Sequence, residues 1–262
     1  MFPRKTAALL ALLLPAAASA QGGMEVDVEI VLAVDTSRSM DLAELAVQRD
    51  GYLTALRHPD LVRAITAGPL GRIAIAYFEW SGQAQDGTLV PWTIVDGPPA
   101  AARLADEIAA MPVSRTRGTS ISRALHFATV LLEDDAVDGA RRIIDVSGDG
   151  ANNVGPPVTG ARDEALARGI TINGLPIVIS GFGAQAGLDR YYEDCVIGGE
   201  GAFMMVARTG DELARTIRRK LILEISGLPP PPQIVPAQFE FEPVDCLIGE
   251  KLYRQRNWDQ IR

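Results

Sequence analysis

Residues 28–34, VEIVLAV, are apolar except for Glu29. A strand that is apolar on both sides needs cover on both faces. That is the pattern of a buried parallel strand with helices above and below it. The polarity then reverses within one residue. Asp35, Ser37 and Ser39 follow two apart, with Met40 and an amphipathic run behind them. In an open α/β sheet, ligands bind at the carboxyl ends of the strands. Read alone, Asp-Thr-Ser-Arg-Ser has two uses. It can cap the next helix, because Ser, Thr and Asp accept from free backbone N–H groups. It can also present an oxygen-only set to a hard cation such as Mg²⁺.

The rest of the chain alternates strand and helix. Leu42, Leu45, Ala46, Leu53 and Leu56 predict a helix over Asp41–Arg57, with Pro59 as its stop signal. Arg72–Trp80 and Leu89–Val95 read as a hairpin around a turn containing Asp86-Gly87, and Pro91 puts the second strand on an edge. Gly97-Pro98-Pro99 breaks the chain before a short helix marked by Leu104, Ile108 and Met111. A polar loop, Ser114–Thr119, precedes a helix marked by Ile121, Leu125, Ala128 and Leu132. Strands are expected over Arg141–Ser147, Ile170–Ile179 and Ala202–Ala207, with Gly174 and Pro176 suggesting a bulge or bend in the second. Helices are expected over Thr159–Arg168, Leu188–Val196 and Asp211–Ser226, with a loop over Gly181–Gly187. This order predicts a doubly wound α/β domain over residues 25–227. Its central sheet is mostly parallel, with one antiparallel edge strand and helices on both faces.

The first twenty residues read as a cleavable signal peptide. Arg4 and Lys5 form a positive start, Ala7–Leu14 an apolar stretch, and Ala18-Ser19-Ala20 a cleavage site. A periplasmic or secreted location is the expectation, and no other apolar run is long enough to cross a bilayer. The net charge of −8 becomes −10 without those residues, and no basic patch stands out, which argues against nucleic acid. In an oxidising compartment, Cys195 and Cys246 are expected to pair, pinning the C-terminal tail to the body. A reactive thiol finds no support, because His58 and His126 form no Cys/His pattern. Pro229–Pro232 should be extended. Residues 228–262 read as a Pro-rich linker and tail packed on the domain, with Phe239, Phe241, Val244 and Leu247 packing as an appended strand or coil.

Three loops carry the candidate chemistry: Asp35-Thr36-Ser37-Arg38-Ser39 after the first strand, Arg117-Gly118-Thr119-Ser120 before a helix, and Gly148-Asp149-Gly150 after a later strand. In the predicted topology all three lie at one end of the sheet. This ordered set resembles the von Willebrand factor type A (vWA) domain with its metal-ion-dependent adhesion site (MIDAS). Within that family the chain is most similar to an exported bacterial subgroup of unknown function. The resemblance implies a divalent ion, Mg²⁺ or else Mn²⁺ or Ca²⁺. Ser37, Ser39 and Thr119 would offer hydroxyls to it, and Asp35 and Asp149 would hold it partly through water. An open coordination position would be filled by an Asp or Glu carboxylate of a protein partner. Arg117 stands where the family often has glycine, and Ser147-Gly148 where it often has Thr before Asp-Gly. Arg38, Arg115, Arg117, Asn152 and Asn153 are candidates for the rim that meets the partner. A non-catalytic scaffold with a structural metal is the alternative reading. No catalytic constellation is evident. Haloacid-dehalogenase-type phosphatases need a second Asp where Ser37 stands, the G-x-S-x-G elbow of serine hydrolases is absent, and no phosphate-binding loop ends in Gly-Lys-Ser/Thr.

Overall fold

The computed structural model describes residues 23–134, 136–179, 185–230 and 243–259. The expected signal peptide, most of the expected Gly181–Gly187 loop, Pro231, Pro232, Phe239 and Phe241 lie outside the described residues. Five strands form the central sheet: β2 (Glu29–Asp35), β3 (Ile73–Trp80), β4 (Val90–Val95), β6 (Arg142–Gly148) and β7 (Thr171–Pro176). Their order is β4-β3-β2-β6-β7, all parallel except β4, which pairs antiparallel with β3. The expected doubly wound sheet is present, with the apolar strand at its centre.

The alternation of strand side chains divides the core in two. Ile30, Leu32 and Val34 pack with α1 (Leu42–Leu56), α2 (Pro59–Thr66), α3 (Pro98–Ala109) and α7 (Gly210–Ser226). Val31 and Ala33 pack on the other face with α4 (Ile121–Leu131), α5 (Val158–Ala167) and a segment made of α6 (Leu188–Tyr191) and a π-turn (Tyr192–Val196). A small parallel pair outside the sheet, β1 (Met24–Val26) with β5 (Val137–Gly139), was not legible in the sequence. Among the described residues, no helix is long and apolar enough to cross a membrane.

Several local expectations are corrected. Pro59 does end α1, but it also starts α2, with His58 accepting the Asp60 N–H at the cap. Pro98 likewise opens α3 rather than only breaking the chain. Both follow from one fact: proline lacks an N–H that the first helical turn does not use. Gly174 makes no bulge, and β7 stays in register with β6 through Pro176. Its missing side chain makes room for Tyr192, whose ring carbon would lie 2.7 Å from a Cβ there. Residues 202–207 run beside β7 as single bridges, not as a ladder. Gly174 and Pro176 both accept or exchange backbone bonds with this segment, but Pro176 has no N–H to continue the pattern. Of the four tail residues expected in an appended strand or coil, Val244 and Leu247 are described and lie in irregular chain, and a helix, α8 (Ile248–Asp259), follows them.

Two buried ionic groups brace the core. Lys220 on α7 lies 2.7 Å from Asp145 on β6 and 2.5 Å from Glu224. Asn173 donates to the same Glu224 oxygen at 2.8 Å. Burial, then the neighbouring Asp145 charge, pushes the Glu224 carboxyl up to about 7 against the pull of Lys220. On α1, Arg49 pairs with buried Glu79 at 2.5 Å and donates to the Met111 and Pro112 carbonyls. It thereby ties the chain leading to residue 119 onto the sheet.

Candidate metal centre

β2 ends at Asp35, and the chain turns at once, because Asp35 Oδ1 accepts the Ser37 N–H at 2.7 Å. Helix α1 takes its N-cap from Asp41, in a reciprocal box with Glu44. Capping therefore needs neither Ser37 nor Ser39. Their hydroxyls instead face each other at 2.8 Å, and Ser39 Oγ donates to Asp149 Oδ1 at 2.7 Å. Asp149 reaches this point because β6 lies beside β2, so the two strand ends abut. Gly148 permits that approach: a Cβ there would stand 2.9 Å from Asp35 Oδ2 and 3.0 Å from the Tyr192 hydroxyl.

The third loop is drawn in from α3. Ser37 forms a parallel bridge with Thr116, Arg115 donates to the Arg38 carbonyl at 3.0 Å, and the Ser120 N–H reaches the Ser81 carbonyl at 2.7 Å. Gly118 has φ +89°, and a side chain there would strike Val154 at 2.8 Å. Asn153 then holds Thr119 from two sides. Its Oδ1 accepts the Thr119 N–H at 2.9 Å, and its own N–H donates to the Thr119 carbonyl at 2.8 Å. Thr119 Oγ1 ends 3.9 Å from where a Cβ on Gly150 would sit. Thus hydrogen bonds join Asp35, Ser37, Ser39 and Asp149 in sequence, and Thr119 stands alongside them.

The electrostatics of this cluster are unbalanced. Asp35 Oδ2 and Asp149 Oδ2 are buried with no hydrogen-bond partner, and so is the Tyr192 hydroxyl. Burial raises the Asp35 carboxyl well above its usual range, and the nearby Asp149 charge raises it further. Burial also raises Asp149. Two orphaned carboxylate oxygens beside neutral hydroxyls are a cradle for positive charge. Among the described residues, no three His, Cys, Asp or Glu side chains gather to hold a metal. A cation here would therefore rest on two carboxylates and hydroxyls. That oxygen-only set suits Mg²⁺, Mn²⁺ or Ca²⁺ better than a metal preferring nitrogen or sulfur.

The expected rim divides. Arg38 and Arg117 are exposed, and Arg115 and Asn153 are half-buried. Asn152 is not on the rim; it is fully buried. Its amide oxygen accepts the Ser122 N–H at 3.0 Å and its amide nitrogen donates to Glu250 at 2.7 Å, so it is consumed by packing. Cys195 and Cys246 form the expected disulfide, with Cα atoms 5.5 Å apart. Four neighbours of the cluster were missed in the sequence: Tyr191, Tyr192, Gln185 and Glu250. The tyrosines look like core residues at helical spacing. Gln185 and Glu250 reach the loop after Asp149 only through the tertiary fold, at the Ala151 N–H and at Asn152.

The sequence profile of the family described as "Protein of unknown function (DUF1194)" matches residues 25–229. The chain belongs to the DUF1194 family. No curated protein matches this DUF1194 chain. Solved structures do. Proximal thread matrix protein 1 from the mussel byssus is 14% identical with a TM-score of 0.54, over 78% of this chain and 47% of that one. The chain thus spans about half the length of that relative. That protein has also been solved with zinc in its MIDAS motif. The vWF domain of the type V pili tip protein Mfa5 from Porphyromonas gingivalis is 12% identical with a TM-score of 0.54, over 80% of this chain and 98% of that one. The pilus adhesin SpaC from Lactobacillus rhamnosus GG is 14% identical with a TM-score of 0.54, over 76% and 31%. At these identities the likeness shows the fold: this DUF1194 chain has the vWA-type α/β fold. None of these structures is named for a catalytic activity.

Proposed function

We propose that this chain is an exported, metal-dependent protein-binding module. Its divalent ion, Mg²⁺ or else Mn²⁺ or Ca²⁺, is held by Asp35, Ser37, Ser39, Thr119 and Asp149, and a partner completes the coordination with an Asp or Glu carboxylate. The observation that carries this reading is the pair of buried, partnerless oxygens, Asp35 Oδ2 and Asp149 Oδ2, beside three hydroxyls at the carboxyl edge of the sheet. Neutral hydroxyl ligands leave an ion much of its charge, and Mg²⁺ seeks six oxygens, so an acidic group from outside is a fitting last ligand. Exposed Arg38 and Arg117 would add attraction for an acidic partner. The pilus adhesin and pilus tip protein among the structural relatives support a role in adhesion. The disulfide supports an oxidising location such as the periplasm or exterior. In this reading residues 1–20 are a cleaved leader, 25–227 the binding module, and 228–262 its tail.

The test is a pull-down from the native envelope fraction with Mg²⁺, with EDTA, and with the Asp149→Ala protein. Capture of the same partner only by the wild type with Mg²⁺ is the expected result. Equal capture by all three would sink the adhesion reading. A metal-induced rise in melting temperature with no metal-dependent partner would instead favour the structural scaffold.

A further inference from the structure

The tail returns to the candidate centre from 97 to 101 residues downstream of Asp149, and it does so by backbone contact. The Val244 N–H donates to Asp194 Oδ2 at 2.9 Å, and Cys246 is bonded to Cys195 in the same segment. Helix α8 starts directly after this staple. At its second residue, Gly249, a Cβ would lie 2.1 Å from the Asn152 carbonyl oxygen and 2.9 Å from its carbon. Only glycine lets the helix press this closely on the loop after Asp149. The next residue, Glu250, accepts the Asn152 side-chain N–H at 2.7 Å.

Asn152 passes this contact on. Its N–H donates to the Tyr191 hydroxyl at 3.2 Å, within the segment that carries Cys195, and its amide oxygen accepts the Ser122 N–H at the start of α4. The adjacent Asn153 makes the two bonds that hold Thr119. One short loop therefore carries Asp149 at its start and the brace of Thr119 at its end, and α8 bears on its middle.

We propose that α8, stapled by Cys195–Cys246, is a positioning clamp for the candidate metal centre, with Gly249 and Glu250 fixing the 149–153 loop and so the spacing of Asp149 and Thr119 about the ion. This rests on the metal reading given above. Glu250 acts through Asn152 and touches no proposed ligand, so it is a positioning residue. Partners that orient metal ligands commonly change metal affinity by about 10–100-fold when removed.

The experiment measures Mn²⁺ affinity and the bound-Mn²⁺ electron paramagnetic resonance line shape in the mature protein. Hydrogen exchange of residues 149–156 without metal provides a second readout. Gly249→Ala and Glu250→Ala should weaken Mn²⁺ binding by about tenfold or more, alter the line shape and speed exchange in the loop. Glu250→Gln keeps an acceptor for Asn152 and should recover most of the affinity. Cys246→Ser should speed loop exchange in the same way. Gly160→Ala, which meets nothing within 4 Å, should change nothing. If wild type binds Mn²⁺ while Gly249→Ala and Glu250→Ala bind within twofold of it, the clamp is refuted and the metal centre stands. If wild type binds no Mn²⁺, the metal reading falls and the clamp with it. Unchanged loop exchange in Gly249→Ala and Cys246→Ser refutes the clamp whatever the metal does.

Discussion

Ser39 donates its hydroxyl to Asp149 at 2.7 Å across 110 residues of sequence. That bond joins the turn after β2 to the turn after β6, and it leaves the second oxygen of Asp149 buried and without a partner. A fold that closes its central strands on each other while stranding carboxylate oxygens stores a cost that a cation can offset. The same relationship explains why Gly148 precedes the aspartate, since any side chain there would displace Asp35.

Metal should therefore trade against charge. We expect Mg²⁺ to raise the wild-type melting temperature, by roughly 5–10 °C for the ~2.7 kcal/mol that a ligand at a hundred times its Kd contributes. Asp149→Asn should abolish that response. Without metal it should melt above the wild type, because an amide is less costly to bury beside Asp35 than a second carboxyl whose ionised form burial disfavours. Differential scanning calorimetry with EDTA and with Mg²⁺ measures both effects; an asparagine variant less stable than wild type in EDTA would contradict the argument.

The Glu224 carboxyl sets a pH dependence of opposite sense to an ordinary surface acid. Its folded value is raised to about 7 from the ordinary 4.5, chiefly by burial. Between these values the folded chain holds a proton that the unfolded chain has lost. The stability this group contributes is thus full below about pH 4.5 and is lost as pH rises to about 7. Urea midpoints across this window should show that decline, and Glu224→Gln should flatten it.

Arg49 should be far more sensitive to truncation than its partner pair is to joint replacement. Arg49→Ala leaves Glu79 buried and unpaired, which typically costs about 3–5 kcal/mol. It also frees the Met111 and Pro112 carbonyls. Arg49→Met with Glu79→Gln should recover a large part of the loss. Equal destabilisation of single and double variants in denaturant titration would show that the pair's charges are not the cause.

Gly174→Ala should cost about 1–3 kcal/mol, as overpacking in a core usually does. The added carbon would meet Tyr192 at 2.7 Å and Ile197 at 3.0 Å. Tyr192→Leu in the same chain should relieve part of that cost, read as a shift in unfolding midpoint; no relief would mean that the backbone, not the ring, resists the change.

The fold was legible wherever one strand or helix buries enough of itself to print a period. The apolar Val28–Val34 run, the helical spacing in α1, α3 and α4, and the edge proline of β4 each announced an element from local composition. So did the ordered set Asp35, Ser37, Ser39, Thr119 and Asp149, because oxygen-bearing residues at strand and helix ends mark one edge of such a sheet. Local pattern failed where one residue serves two neighbours. Pro59 and Pro98 read as stops because a missing N–H looks the same at the end of one helix and the start of the next. Asn152 read as a surface residue because nothing nearby in sequence buries it. Its cover is Glu250 and Gly249, brought back by a disulfide and a helix whose residues carry no mark of that destination. The sequence determined which elements form and which residues stand at their ends, since those depend on neighbours a few positions away. Only the tertiary structure decided which loops touch, which glycines are obligatory and which carboxylate oxygens lose their water, since those depend on contacts between groups distant in sequence, such as Ser39 and Asp149, 110 residues apart.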